Sequence, residues 1–452
     1  MNKNIFRAYD IRGNSKTDLD QTTITKIGYV LGERIKKNNH DSVYVGHDSR
    51  LSAQEIQNAL VAGLNAAGIK VFLLGMVPTP MVYFATKTGV TPNGVMITGS
   101  HNPKNHNGIK LVIDDKPVSG NEILDLLNKD QKLSESVGSI KSLNVKDSYI
   151  EEVSQSLKIN KKLKIVIDCG NGAAGFIAPD LYKNLGCEVI ELYSEVDGNF
   201  PNHHPDPGKV ENLKDLIQAV KTHGADLGLA FDGDGDRVGM VTNKGEIVFP
   251  DKILMMLSKD VLHSQKGSII FDVKCSNALS QIIKENGGSP IMSPTGHFHI
   301  KNGIKKHNPL LAGEMSGHIF FNDKWYGFDD GHYSGARIIE MLSKNEKSIA
   351  QICNELPMLF STPELNINVT DDSKFKIIKE FADNCRLEGE KNTIDGLRLD
   401  FEDGWGLIRA SNTTPKLVLR FEGRSEEILN RIQNDFLNEL TRICPDIDIN
   451  LS

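Results

Sequence analysis

Asp232, Asp234 and Asp236 stand at alternate positions in LGLAFDGDGDRVGMV, directly after an apolar run that reads as a strand. Three carboxylates so close repel one another unless a cation neutralises them, and the glycines between them let the backbone fold back so that all three can face one ion. An EF-hand loop is excluded, because its sixth position needs glycine and holds Arg237, and its twelfth needs glutamate and holds Asn243. Ligands of this type favour a hard divalent ion, Mg2+ above others. The competing reading is an exposed acidic turn, which a buried-strand context makes costly.

Four other segments carry chemistry. VMITGSHNPKNHNGIKL (95–111) offers Ser100 on what reads as a rigid, exposed corner, with Gly99 permitting tight geometry and Pro103 stiffening the exit. Ser100 is then a nucleophile or modified serine, or else a turn residue, and His101 and Lys110 are base or charge partners. GEMSGH (313–318) sets an acid, a hydroxyl and an imidazole between glycines, groups suited to hydrogen bonding with sugar hydroxyls. RASNTTPKLVLR (409–420) places hydroxyls, an amide and free backbone N–H groups between two arginines, a set suited to a phosphate dianion. GNGAAG (170–175) follows the strand KIVID and fits the dinucleotide fingerprint, so an NAD-dependent oxidoreductase is an alternative. Against it, the corresponding loops GHDSR and DVKCSN are not glycine-rich. His203 and His204 in PNHHPDP read as a loop without an assigned role.

These loops hang on an internal repeat. Segments beginning at Ser42, Leu163 and Gly267 each run strand, aspartate-containing polar loop, amphipathic helix, glycine, strand. Repeated βαβ units predict three similar α/β domains with mainly parallel, helix-covered sheets, whose ligands gather at the carboxyl ends of strands. After about residue 358 the pattern changes to short alternating strands with two helices, a separate α+β domain. The expected domains are 1–145, 146–247, 248–358 and 359–452, packed around a shared centre.

At 452 residues the chain exceeds what one core supports. With 39% hydrophobic and 25% charged residues it is an ordinary globular composition. A net charge of -7 argues against nucleic-acid binding through phosphate attraction, so anionic ligands must meet locally placed cations. Six scattered cysteines without metal spacing suit a reducing compartment. The opening MNKNIFRAYDIRG meets charge before any apolar run, and no bilayer-length apolar stretch follows; a cytoplasmic protein without membrane contact is expected.

Taken together, TGSHNP, DGDGDR, GEMSGH and RASNTTP in this order resemble the α-D-phosphohexomutase superfamily, over the whole chain from FRAYDIRG to LRFEG. GEMSGH and WYGFDDGHYSGARIIEML look most like its phosphomannomutase/phosphoglucomutase branch; phosphoglucosamine mutases, kept as an alternative, typically carry Gln where Met315 stands. The resemblance implies three similar α/β domains and a fourth around a deep cleft. It implies reversible conversion of hexose 6-phosphate and 1-phosphate, with phosphorylated Ser100 and a hexose 1,6-bisphosphate intermediate. It implies one Mg2+ on Asp232, Asp234, Asp236 and an oxygen of phospho-Ser100, with Arg237 on phosphate oxygens and either His101 or Lys110 as acid/base. Glu314 and Ser316 would read sugar hydroxyls, and Arg409, Ser411, Asn412, Thr413 and Arg420 would hold the non-reacting phosphate. Tyr9, Arg12, Lys274, His297 and His318 should line the cleft. Lys252 departs from the arginine that relatives often have, which bears on phosphate contact or domain closure. A monomer or weak dimer is expected, and a sugar-phosphate-binding regulator without turnover is the non-enzymatic alternative.

Overall fold

The structure, a computed structural model, describes residues 2–129, 137–412 and 414–451. The three repeats form as the strand–helix–strand pattern demands. Ser42–His47 runs parallel to Lys70–Met76, Lys164–Asp168 to Glu188–Leu192, and Ser268–Asp272 to Ser289–Ser293. The helices Ala53–Ala66, Ala178–Asn184 and Asn277–Glu285 make the crossovers. The sheets are parallel except toward one edge of each, where the pairing turns antiparallel, so they are more mixed than the repeats suggest. His106–Ile113 pairs antiparallel with Gly94–Ile97, Val238–Thr242 with Leu227–Phe231, and Ile319–Phe321 with Leu311–Gly313. Each of these added strands is joined by a short loop, which allows only a hairpin-like return. The last sheet, with Lys416–Gly423 and Gly404–Ala410 at its heart, is antiparallel throughout and carries the helices Asp371–Asn384 and Glu426–Ile443.

Strand alternation decides where the cores lie. Val43 and Val45 point into a core of the first domain alone, while Tyr44 between them joins a second core. That second core continues through Ile165, Phe231, Leu254 and Phe271 to Leu356, crossing all three α/β units without a break. The last domain keeps a core of its own, around Phe381, Leu419 and Phe436. Among the described residues no helix is long and apolar enough to cross a membrane.

The carboxyl ends of the three parallel pairs converge. The loops GHDSR, DCGNG and DVKCSN all leave such ends, and so do the corner at Ser100 and the metal-type loop after Leu227–Phe231. The chemistry-bearing residues therefore share one central region.

Candidate active site

Ser100 follows the buried strand Gly94–Ile97 and takes a left-handed backbone conformation, φ 48°. Such a conformation costs a non-glycine residue roughly 1–2 kcal/mol and needs anchoring. Thr98 supplies part of it: its hydroxyl donates to Asp48 Oδ2 (2.7 Å) and accepts the Ser100 N–H (2.8 Å). The corner is not exposed, as the sequence suggested; Ser100 is 1% accessible because the second domain's metal-type loop covers it. Ser100 Oγ donates to Asp232 Oδ2 at 2.7 Å and lies 3.2 Å from His101 Nδ1.

Gly235, at φ 72°, turns the loop back so that Asp232, Asp234 and Asp236 converge, all fully buried. One oxygen from each lies within 4.8 Å of the others. Lys110, on the strand His106–Ile113, donates to Asp234 Oδ2 (2.7 Å) and Asp236 Oδ2 (2.6 Å), and Thr79 donates to Asp234 Oδ2 (2.5 Å). Burial and its two aspartate neighbours push the Asp232 carboxyl well above the carboxylate range. Burial pushes Asp234 the same way, but the Lys110 ammonium outweighs it and holds that carboxyl low. Lys110 itself is held well above its ordinary value by Asp234 and Asp236 in spite of burial. The Lys110 ammonium and the Arg237 guanidinium, 3.9 Å from Asp232 Oδ2, do not balance three carboxylates. Asp234 Oδ1 has no hydrogen-bond partner among the described residues, and Asp236 Oδ1 meets only the His318 ring, 3.4 Å away. Unsatisfied hard oxygens with surplus negative charge fit a divalent cation such as Mg2+.

Beside them lies a cavity of about 620 Å3 to which all four domains contribute. Tyr9, Arg12 and His101 line it from the first domain and Arg237 from the second. Lys274, His297, Glu314, Ser316 and His318 come from the third, and Arg409, Ser411 and Asn412 from the fourth. Thr413 lies outside the described residues. Arg12 is held by Asp10 (2.7 Å), and Arg237 donates through Nε to His318 Nε2 (3.0 Å). His318 Nδ1 sits 3.2 Å from Asp329 Oδ2, whose other oxygen takes Lys301 at 2.7 Å. Burial, Arg237 and Arg12 keep His101 neutral, its value well below the usual one. On the GEMSGH loop Glu314 accepts the Gly296 N–H (2.5 Å), and burial raises its carboxyl. Ser316 Oγ and His297 Nδ1 have no partner among the described residues and are available to a ligand. At the far end Asp395 orients Arg409 through Nε (2.9 Å), and Asn412 donates to the Tyr9 hydroxyl. Lys274 pairs with Glu364, another cavity residue.

Arg420 does not reach this cavity. Its guanidinium donates to the Lys274 carbonyl and to Asp251 Oδ2 (3.2 Å), tying the third and fourth domains together. Arg420 pairs with Leu407, and Arg409 with Val418, so Arg420 sits two ladder positions further from the RASNTTP loop, about 6.6 Å away along the strand. Lys252 stands in the first turn of Pro250–Ser264, outside the cavity lining. GNGAAG is no dinucleotide cradle. A Cβ at Gly172 would stand 2.9 Å from the Gly233 carbonyl, at Gly175 2.1 Å from that of Ser194, and at Gly170 3.0 Å from Pro205. The space a pyrophosphate needs is filled by the metal-type loop and by residues 194–205. Sequence reasoning missed Asp329 and Lys301, for which the acidic pair in FDDGH was the only signal, and also Thr79 and Glu364.

Models of the phosphoglucomutase/phosphomannomutase family match in order: α/β/α domain I at residues 3–133, domain II at 147–245, domain III at 249–360 and the C-terminal domain at 364–439. The chain belongs to this family. It is accordingly a phosphoryl-transferring mutase. A phosphomannomutase/phosphoglucomutase of Pseudomonas syringae pv. tomato is 51% identical over 449 residues, covering 98% of this chain and 97% of that one. A phosphoglucomutase of Neisseria gonorrhoeae is 46% identical over 442 residues, 96% of each. The solved structure of a family member from Burkholderia thailandensis matches with a TM-score of 0.94 at 43% identity, over 100% of this chain and 99% of that one.

Proposed function

We propose that this mutase interconverts the 6-phosphate and 1-phosphate of mannose and of glucose through phosphorylated Ser100 and a hexose 1,6-bisphosphate. The observation that carries the reading is Ser100 Oγ, 2.7 Å from Asp232, set behind a cavity whose other end is the Arg409–Asn412 grip. A sugar hydroxyl oxygen attacks the phosphorus of phospho-Ser100, the P–Oγ bond breaks, and the hydroxyl proton passes to a base. The bisphosphate turns over. Ser100 Oγ then bonds to the other phosphorus, the sugar P–O bond breaks, and the sugar oxygen regains a proton. No water or nucleotide is consumed.

His101 Nδ1, 3.2 Å from Ser100 Oγ, serves the seryl oxygen. His318, with Nδ1 between two carboxylates, accepts from Arg237 through Nε2 and so holds that guanidinium at the cavity wall. Lys110, donating to Asp234 and Asp236, supplies countercharge beside the three carboxylates. Mg2+ held by Asp232, Asp234, Asp236 and a phosphoserine oxygen would supply positive charge to the transferring group. Arg409, Ser411 and Asn412 hold the idle phosphate, while Glu314 and Ser316 read hydroxyls shared by both poses. A site that binds its substrate both ways round cannot grip the C2 hydroxyl tightly, which is why both sugars are accepted.

Intact-mass measurement should find one phosphate, lost in Ser100→Ala together with several orders of magnitude of activity. Full activity in that variant refutes the mechanism. Coupled assays with glucose 1-phosphate and mannose 1-phosphate test the substrate range.

A further inference from the structure

The backbone carbonyls of residues 100 to 103 are all held by side-chain donors, and those donors come from two domains. Arg50, from GHDSR, is 3% accessible and donates through all three of its side-chain nitrogens. Nε meets Asp48 Oδ2 (3.2 Å), Nη2 meets the carbonyls of Ser100 (2.8 Å) and Asn102 (2.5 Å), and Nη1 those of Pro103 (2.6 Å) and His106 (2.8 Å). Asp48 fixes the fork in turn, accepting the N–H of Arg50 (3.0 Å) and that of Gly99 (3.1 Å). The one carbonyl that Arg50 leaves, that of His101, accepts from His204 Nε2 of the second domain. A carbonyl only accepts, so His204 carries its proton on Nε2. His204 is held through its own carbonyl by His203 Nδ1 (3.0 Å), and His203 Nε2 lies on Asp168 Oδ2 at 3.0 Å. Phe200 of the same segment covers Arg50, its ring centroid 5.5 Å from the guanidinium carbon.

We propose that Arg50 and His204 are positioning residues that aim Ser100 Oγ for phosphoryl transfer by holding the carbonyls of Ser100, His101, Asn102 and Pro103. The proposal rests on the reading that Ser100 carries the phosphoryl group. Two observations point to aim rather than bulk stability. Ser100 occupies a left-handed conformation that an L-residue leaves unless its surroundings over-determine it, and here both its N–H and its carbonyl are tied. The loop must also present the same oxygen twice in each turnover, first as leaving group and then as nucleophile. One side of the clamp rides on the domain with the serine, the other on the domain with the three aspartates. Together they fix Ser100 relative to the metal-type loop.

The test is Arg50→Lys, because an ammonium is a point charge that cannot span four carbonyls and a carboxylate. A misplacement of 1 Å costs about 10²-fold in rate, so kcat should fall by about that factor with KM for glucose 1-phosphate little changed. Rapid-quench mass spectrometry of the phosphoenzyme mixed with sugar phosphate should show the same slowing in loss of the serine phosphate. His204→Ala, at a partly exposed site, should lower kcat about tenfold, a loss of about 1.4 kcal/mol of hydrogen bonding. His204→Gln, which restores an N–H donor, should recover most of it. Unchanged kcat in Arg50→Lys and His204→Ala, or a rise in KM alone, overturns the proposal; if Arg50→Lys does not fold, the His204 pair decides. Ser100→Ala run alongside separates the two readings. If that variant stays active, the serine mechanism fails; if it is dead while the other variants turn over normally, only the positioning role fails.

Discussion

Two buried arginines, Arg50 in the first domain and Arg398 in the fourth, latch onto backbone carbonyls, and their surroundings differ. Around Arg50 the first and second domains share one apolar core, and the charged groups at their seam are buried and tied by several partners each. Arg398 of the fourth domain donates to the carbonyls of Val273 and Cys275 (2.9 Å), and its guanidinium lies 3.8 Å over the Trp405 ring. Beside it the apolar contact with the third domain is small: Val273 against Trp405 and Leu407, with Met292 at its edge. The Ser100 end is thus built into a continuous interior, and the domain that carries the proposed phosphate grip is mounted on a mainly polar seam. A polar seam can be remade in another geometry with little loss, since its groups exchange partners with water. In the proposed mechanism, a substrate that leaves its hold and turns over needs this at one end only.

The contrast can be broken at several points. Chelation of divalent ions with EDTA strikes the rigid end and should abolish turnover, restored by Mg2+; turnover that persists in EDTA removes the metal from the mechanism. Lys110→Met leaves Asp234 and Asp236 uncompensated and should destabilise the protein by about 3–5 kcal/mol, read as a lower Tm. Added Mg2+ should raise that Tm more than it raises that of the wild type.

The residues of the rigid end were legible where one short segment carries its own chemistry, as DGDGDR and TGSHNP do. What holds them was not, because Arg50, His204, Asp329 and Lys301 act on residues tens to a hundred positions away, and no local pattern marks a partner at that distance. The repeat disclosed the parallel part of each sheet, since strand–helix–strand spacing fixes direction. It did not disclose the antiparallel edge of each, which follows from short loops outside the repeat. Arg420 was misplaced because the loop RASNTTP and the strand after it were read as one unit, whereas ladder register carries the arginine down toward Asp251 and the Lys274 carbonyl.

At the movable end the effects should be smaller and of another kind. Arg409→Lys removes a planar fork from the phosphate grip and should raise KM about tenfold, with kcat less affected. Arg398→Lys should raise KM several-fold and spare kcat, the reverse of Arg50→Lys; equal effects on kcat would erase the distinction between the two ends. The smallest effect concerns pH. His203 has acceptors beside both ring nitrogens, the His204 carbonyl and Asp168, an arrangement that favours its protonated form. Burial opposes that charge, but the Asp168 hydrogen bond and charge outweigh it and raise the value above the ordinary one. A raised histidine adds stability that is full below its unfolded value of about 6.5 and is lost as pH rises through the folded value. Tm should therefore decline over that window relative to His203→Gln, and parallel profiles would contradict it.

The apolar core running from Tyr44 to Leu356 bears on how the molecule melts. No boundary inside it separates one α/β unit from the next, so the three should lose structure together as a single cooperative block. The C-terminal unit, with Phe381, Leu419 and Phe436 in an interior of its own, can melt separately. Calorimetry of the intact chain should record two heat-absorption peaks, divided between the third and fourth domains rather than among the repeats.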